Sequence, residues 1–239
     1  MSIHWITPDW PAPDGVKALS TLRTGGQGQG VYASFNLGAH VGDEPARVME
    51  NRRRLRELLP SEPIWLSQVH GTSVVNADAP DDLNADASVS KRAGVVCAVM
   101  TADCLPILLC DRAGSQVAAV HAGWRGLAGG VVEAAVQAFA GDELMAWLGP
   151  AIGPQAFEVG DEVRQAFLEK LDRCDGAFRP SQNNRWLADL YALARLELQK
   201  LGVDAVYGGE YCTFSDPERF FSHRRDGQTG RMATLIWRE

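Results

Sequence analysis

The chain has 239 residues, 46% of them hydrophobic, enough to bury a sizeable core as one domain or as two tightly packed halves. Its formal charge of −7 opposes binding to polyanions, which draws on many Lys/Arg–phosphate contacts, and so speaks against a nucleic-acid partner. The opening MSIHWITPDWPAP has neither the basic flank nor the apolar run of a signal peptide, and no later apolar stretch approaches the roughly 20 residues that span a membrane. A cytoplasmic protein is expected. Its five cysteines (Cys97, Cys104, Cys110, Cys174, Cys212) form no CxxC pair, in keeping with a compartment where thiols stay reduced.

A strand is expected over 17–23, followed by a glycine-rich loop, GGQGQG, over 25–30. Asp43 reads as the N-cap of a helix with Pro45 in its first turn, carrying Val48, Leu55, Leu58 and Leu59 at helical spacing. From Pro63 the period shortens. PIWLSQV (63–69) and TSVVNA (72–77) read as short strands; GVVCAVM (94–100), LPILLC (105–110) and QVAAVH (116–121) read as central ones. LAGGVVEAAVQAFA (127–140) reads as one helix despite its glycines, LMAWLG (144–149) as a strand and GPAIGP (149–154) as a loop. Helices are expected over DEVRQAFLEKLD (161–172) and LADLYALARLELQKLG (187–202), the second stopped by Gly202. VDAVYG (203–208), RFFSH (219–223) and MATLIW (232–237) read as strands. No repeat or long linker divides the chain, so a single domain over 1–239 is expected. Strands and helices mix without strict βαβ alternation, which predicts an α+β fold with a mixed β-sheet core flanked by helices.

Three metal-capable side chains stand at apparent strand ends: His70 in SQVHG, Cys104 in TADC and His121 in VHAGWRG. They are too far apart in sequence for a short zinc-finger pattern, so only the fold can bring them together. Converged, one thiolate and two imidazoles supply three of the four ligands zinc prefers and leave a position open for water or substrate. The same residues allow another chemistry, with Cys104 as a thiolate nucleophile and His121 or His70 as its base. Cys97 and Cys110 lie inside apolar runs and read as core, as do Cys174 and Cys212 on the same test. Asp103, beside Cys104, is either a proton shuttle or a hydrogen-bond acceptor behind the ligands. Arg125, in GWRG ahead of a helix, is a candidate for holding phosphate or carboxylate. Arg224, Arg225 and Arg231 make a second basic cluster, and Arg23 precedes the glycine loop. GGQGQG matches neither the P-loop nor the dinucleotide fingerprint and is read as a loop only.

In order from Ser20 come STLRTGG, FNLGAHVGD, Asn51-Arg52, QVHG, TADCLPILL, HAGWRGL, LGPAIGP, FEVG and FFSHRRDGQTGRMATLIW. This set resembles the YfiH family, also called laccase-domain or polyphenol oxidase-like proteins and purine nucleoside phosphorylases of that type. The resemblance implies one α+β domain with a pocket metal, zinc before copper, on His70, Cys104 and His121. It implies phosphorolysis of adenosine, inosine, guanosine and methylthioadenosine, together with adenosine deamination. Small-molecule partners, a purine nucleoside and phosphate, follow, with Arg125, Arg52, Arg23 and Arg224 as candidate substrate contacts. Bacterial members are also linked to peptidoglycan editing, and the fold resembles that of CNF-type toxin deamidases with a Cys–His site, so a cysteine-type amide hydrolase is the alternative. A binding or regulatory protein stabilised by its metal is a second alternative. Position 223 is His where many relatives carry Tyr, which leaves a substrate contact there open. A multicopper oxidase needs a blue site and a trinuclear cluster rich in His, and five histidines do not supply them.

Overall fold

The computed structural model describes residues 2–139 and 143–239. The first half holds β1 (Trp5–Ile6), β2 (Val16–Thr21), α1 (Pro45–Arg56), β3 (Val74–Asn76), β4 (Ala87–Ser90), β5 (Cys97–Thr101) and β6 (Leu105–Asp111). Then come β7 (Val117–Ala122), α2 (Trp124–Gly129), α3 (Val131–Gln137), β8 (Leu144–Leu148), β9 (Glu158–Val159) and α4 (Asp161–Leu168). The last part holds β10 (Phe178–Pro180), β11 (Trp186–Ala188), α5 (Leu190–Lys200), β12 (Ala205–Gly208), α6 (His223–Asp226) and β13 (Met232–Arg238).

These strands form an antiparallel four-stranded sheet in the order β1-β2-β13-β5 and a six-stranded sheet in the order β12-β8-β6-β7-β4-β3. The larger sheet is mixed, its two outer pairs parallel and its inner pairs antiparallel. A small antiparallel sheet, β10-β11-β9, stands apart. Cys97, Val99 and Ile236 of the four-stranded sheet pack on Leu108, Cys110, Val117, Ala119 and Trp147 of the larger one. On its other face the four-stranded sheet, through Ala98, Met100 and Leu235, covers Leu55 of α1. Ile107, Leu109, Val120 and Leu148 on the far side of the larger sheet meet Val131 and Val132 of α3 and Leu193 and Leu198 of α5. The result is four layers, helix, sheet, sheet and helices. This explains the unbroken apolar runs of β5, β6 and β7, because both faces of each strand are buried. The α+β, mixed-sheet expectation holds.

Several local expectations are corrected. The N-cap of α1 is Glu44, not Asp43, whose carboxylate accepts the Glu44 amide at 2.8 Å and the Asn36 side chain at 3.0 Å; Leu58 and Leu59 lie past the helix end. Residues 63–69 make only a single parallel bridge, Ile64 to Cys97, and no strand; further along, Gln68 answers both the N–H and the C=O of Met100 with its side chain, at 2.7 and 2.8 Å. The helix expected over 127–140 begins at Trp124 and breaks in two at Gly130, whose φ of 106° is open to glycine and whose N–H caps α2 through the Gly126 carbonyl. Its expected end, Ala140, lies outside the described residues. RFFSH is not a strand: Phe220 and Phe221 bury their rings against Ala102 and Met232, and Ser222 caps α6. GGQGQG, read from the sequence as a loop only, is packed as one: Cβ atoms at Gly26 and Gly28 would collide with the Ser34 and Tyr32 carbonyls, and Asn51 accepts the Gln27 amide.

Candidate metal centre and active site

The chain leaves β5 in one sheet and enters β6 in the other through three residues, Ala102, Asp103 and Cys104. This crossing sets Cys104 between the two sheets. The β6–β7 register pairs Leu105 with Ala122 and Pro106 with His121, so Cys104 lies across from Gly123. Only glycine fits there: a Cβ on residue 123 would sit 2.9 Å from His70 Cδ2 and 3.0 Å from Cys104 Sγ. Gly123→Ala is therefore expected to weaken zinc binding by roughly tenfold with the fold retained, measured by chelator competition; unchanged affinity would show that the ligands have room to move.

The β4–β7 register then sets Asp86 opposite His121. Fully buried, Asp86 accepts the His121 Nδ1–H at 2.7 Å and the amides of Val69, His70 and Gly71 at 3.2, 2.9 and 2.7 Å. One carboxylate thus orients both histidines. With Nδ1 engaged, His121 is left with Nε2 for a ligand bond, and the three amides hold His70 at a φ of 60° that a non-glycine residue rarely adopts. Burial would push the Asp86 pKa up, but the His121 hydrogen bond and the Gly71 and His70 amides bring it below the usual carboxylate range.

The donor atoms of His70, Cys104 and His121 all lie within 4.8 Å of one another, with His70 Nε2 3.7 Å from Cys104 Sγ. Burial alone would raise the Cys104 pKa; the charges and hydrogen bonds of His121 and His70 outweigh it and bring the thiol down to about 6. Burial likewise opposes the charged form of His121, but the Cys104 thiolate and the Asp86 carboxylate raise it to about 9. Without metal, both shifts favour a thiolate–imidazolium pair. The donor set, one soft thiolate and two imidazoles with a buried carboxylate behind, suits a single zinc ion with an open position. Among the described residues no other such cluster of His, Cys, Asp and Glu occurs, and even with His40 and His223 at the same cleft the chain's five histidines fall short of a blue copper site plus a trinuclear centre.

These ligands open onto a cleft of about 350 Å³, within the usual range for small-molecule sites. Arg125 lines it from the first turn of α2 rather than ahead of the helix, its guanidinium 4.4 Å over the Trp124 ring. His223 and Arg231 also line it; His223 Nδ1 donates to the Gly227 carbonyl at 2.6 Å, and burial pushes the Arg231 pKa down. Arg52 lies in an adjoining cavity. Arg23 and Arg224, expected at the pocket, are not among its lining residues. Arg23 donates to the Ala33 and Pro217 carbonyls at 3.0 Å each, and Arg224 to the Glu158 carbonyl at 2.8 Å, so their charges tie loops together. Asp103 is likewise not among the lining residues: its carboxylate accepts the Thr213 hydroxyl and the Arg224 amide, both at 2.6 Å, which anchors the crossing at a φ of 94°. Cys97, Cys110 and Cys174 are buried; Cys212 is half-buried and accepts the Gly153 amide at 3.2 Å.

Sequence reading missed Asp86 and also His40, which lines the cleft, and Arg231 carried no site role there. Asp86 precedes a strand of small residues, ASVS, too weakly apolar to be noticed; His40 sits inside FNLGAHVGD.

A family model for multi-copper polyphenol oxidoreductase laccase matches residues 17–239. The chain belongs to this family. Among its laccase-family relatives, a Pseudomonas aeruginosa protein named purine nucleoside phosphorylase is 58% identical over 98% of both chains. Purine nucleoside phosphorylase YfiH of Escherichia coli K12 is 53% identical over 97% of this chain and 98% of its own. Of solved structures, a Neisseria meningitidis protein is similar with a TM-score of 0.93 at 52% identity, covering 98% of this chain and 99% of its own. The YfiH resemblance read from TADC and HAGWRG holds.

Proposed function

We propose that this protein is a zinc-dependent purine nucleoside phosphorylase of the cytoplasm, acting on adenosine, inosine, guanosine and methylthioadenosine, with adenosine deaminase activity. What carries the reading is the convergence of His70, Cys104 and His121 on one cleft beside Arg125 and Arg231, taken with the names of the relatives. Five free cysteines fit a reducing compartment, and no helix is long and apolar enough to cross a membrane. Zinc held by the three ligands would supply a Lewis acid that activates water for attack on the purine ring. Asp86 keeps the His121 Nδ1 proton in place and leaves Nε2 to the ligand position. Arg125, braced on Trp124, holds phosphate against the ribose by charge-assisted hydrogen bonds, which is a task of orientation. Arg231 adds positive charge at the same cleft.

Adenosine incubated with the zinc-loaded protein and phosphate should give adenine and ribose 1-phosphate, and without phosphate inosine, followed by chromatography. Turnover of neither kind overturns the reading in favour of a binding or regulatory protein stabilised by its metal. Arg125→Gln should raise the KM for phosphate roughly tenfold while the KM for adenosine changes far less; equal losses would make Arg125 structural.

A second reading, a cysteine-type amide hydrolase in peptidoglycan precursor editing, is favoured by one observation. Cys104, His121 and Asp86 stand in nucleophile, base and orienter order, with the thiol already acidified to about 6.

A further inference from the structure

Beside the zinc cleft lies a second cavity of about 480 Å³, and the two share His40, Gln68 and Met100 as a common wall. Arg52 and Trp65 line only the second. The Arg52 guanidinium is fixed there on three sides. Its Nε donates to the Leu37 carbonyl at 2.9 Å, Nη2 lies 3.7 Å from Met100 Sδ, and Cζ stands 4.2 Å over the Trp65 ring, which is itself tied through Nε1 to Glu62 at 2.8 Å. Among the described residues Nη1 has no partner, and no carboxylate lies within ion-pair distance of the group; Glu62 acts on it only from further away.

A half-buried guanidinium braced in this way has given up the mobility that an arginine in solvent keeps, yet its charge is left unmatched. His40, on the common wall, feels the same imbalance: burial, then the charges of Arg231 and Arg52, push its pKa down, so the imidazole is neutral and able to donate one hydrogen bond. Two arginines thus face one wall in a protein whose net charge is −7. A bare nucleoside brings no charge to answer them.

We propose that the second cavity holds an anionic group tethered to the substrate, so that the ligand class at this site is a nucleoside carrying a phosphate on its ribose, with Arg52 and His40 as the groups that receive it. This rests on the purine nucleoside reading of the zinc cleft. The apolar wall of Trp65, Leu66 and Met100 lowers the local dielectric and strengthens the arginine–phosphate contact.

The test is calorimetric titration of the zinc-loaded protein with inosine and with inosine 5′-monophosphate in phosphate-free buffer, where neither deamination nor phosphorolysis can occur and the heat reads binding alone. The monophosphate should bind roughly tenfold tighter or more. Arg52→Gln should remove most of that gain, His40→Gln should reduce it, and Arg125→Gln should leave it in place. Equal affinities in the unmodified protein overturn the proposal whatever the variants do, and so does a gain that survives Arg52→Gln or disappears in Arg125→Gln. In those outcomes inosine still binds, and the purine reading stands. Failure of both ligands to bind overturns the two together.

Discussion

Asp86→Asn is expected to lower zinc affinity by roughly ten- to a hundredfold, the range seen when the group behind a ligating histidine is removed. The reason lies in donor counting. Both carboxylate oxygens of Asp86 are surrounded by N–H donors, three from the backbone of residues 69–71 and one from His121. An asparagine turns one oxygen into another donor, so at least one of those groups is left buried against an N–H. If the loop yields, His70 is released from its left-handed backbone; if His121 yields, its tautomer changes and Nε2 carries the proton. Either way a ligand is lost. The same orphaned group should cost about 1–3 kcal/mol of stability in thermal unfolding of the zinc-free protein. Zinc competition that differs from the unmodified protein by less than about twofold would show that the histidines are held by something else.

The second large effect concerns Cys104. Cys104→Ala removes the only thiolate of the site and should leave no tightly held zinc and no detectable turnover, measured by elemental analysis and by the adenosine assay. Retained zinc would mean that Cys104 is not a ligand. Labelling separates ligand from nucleophile. A metal-bound thiolate has its charge drawn into the ion, so iodoacetamide should react slowly with the zinc-loaded protein and fast after chelation. In the chelated protein the thiol loses its proton near pH 6, so the labelling rate should climb with pH through about 6 and level off by neutrality. A thiol at the usual cysteine value would still be gaining rate there. Peptide mass spectrometry distinguishes Cys104 from the half-buried Cys212. Zinc returned to chelated, unlabelled protein should restore activity; chelated protein that turns over fully and dies on labelling belongs to the amide hydrolase reading.

What the sequence made legible follows from what was buried. The runs around Cys97, Leu108 and Val120 announce themselves because both faces of their strands are packed, and Gly202 marks the end of α5 by local chemistry alone, whereas its start, expected at Leu187, falls at Leu190 because 186–188 pair as β11 and Asp189 caps the helix. ASVS carries no such signal, and Asp86 gains its meaning only from a register that sets it against His121. The arginines show the same limit in reverse. Arg23, Arg125 and Arg224 look alike beside their glycines and loops, but only Arg125 turns its charge to the cleft, while the other two spend theirs on backbone carbonyls. The ligands themselves could be named from motif, although nothing in their spacing said that they meet.

The crossing from β5 to β6 bears on when the ion can arrive. Cys104 takes its place only when two separate sheets are stacked, His121 only when β6 and β7 are in register, and His70 only when β4 has delivered Asp86 to its loop. In a zinc finger the ligands lie close along the chain, and the ion organises a peptide that is otherwise unfolded. Here every ligand depends on tertiary contacts far along the chain, and the nascent polypeptide offers the ion no half-built nest. On the proposed reading, zinc would select a finished fold, and its supply would govern how much of the protein is active, not how much of it folds.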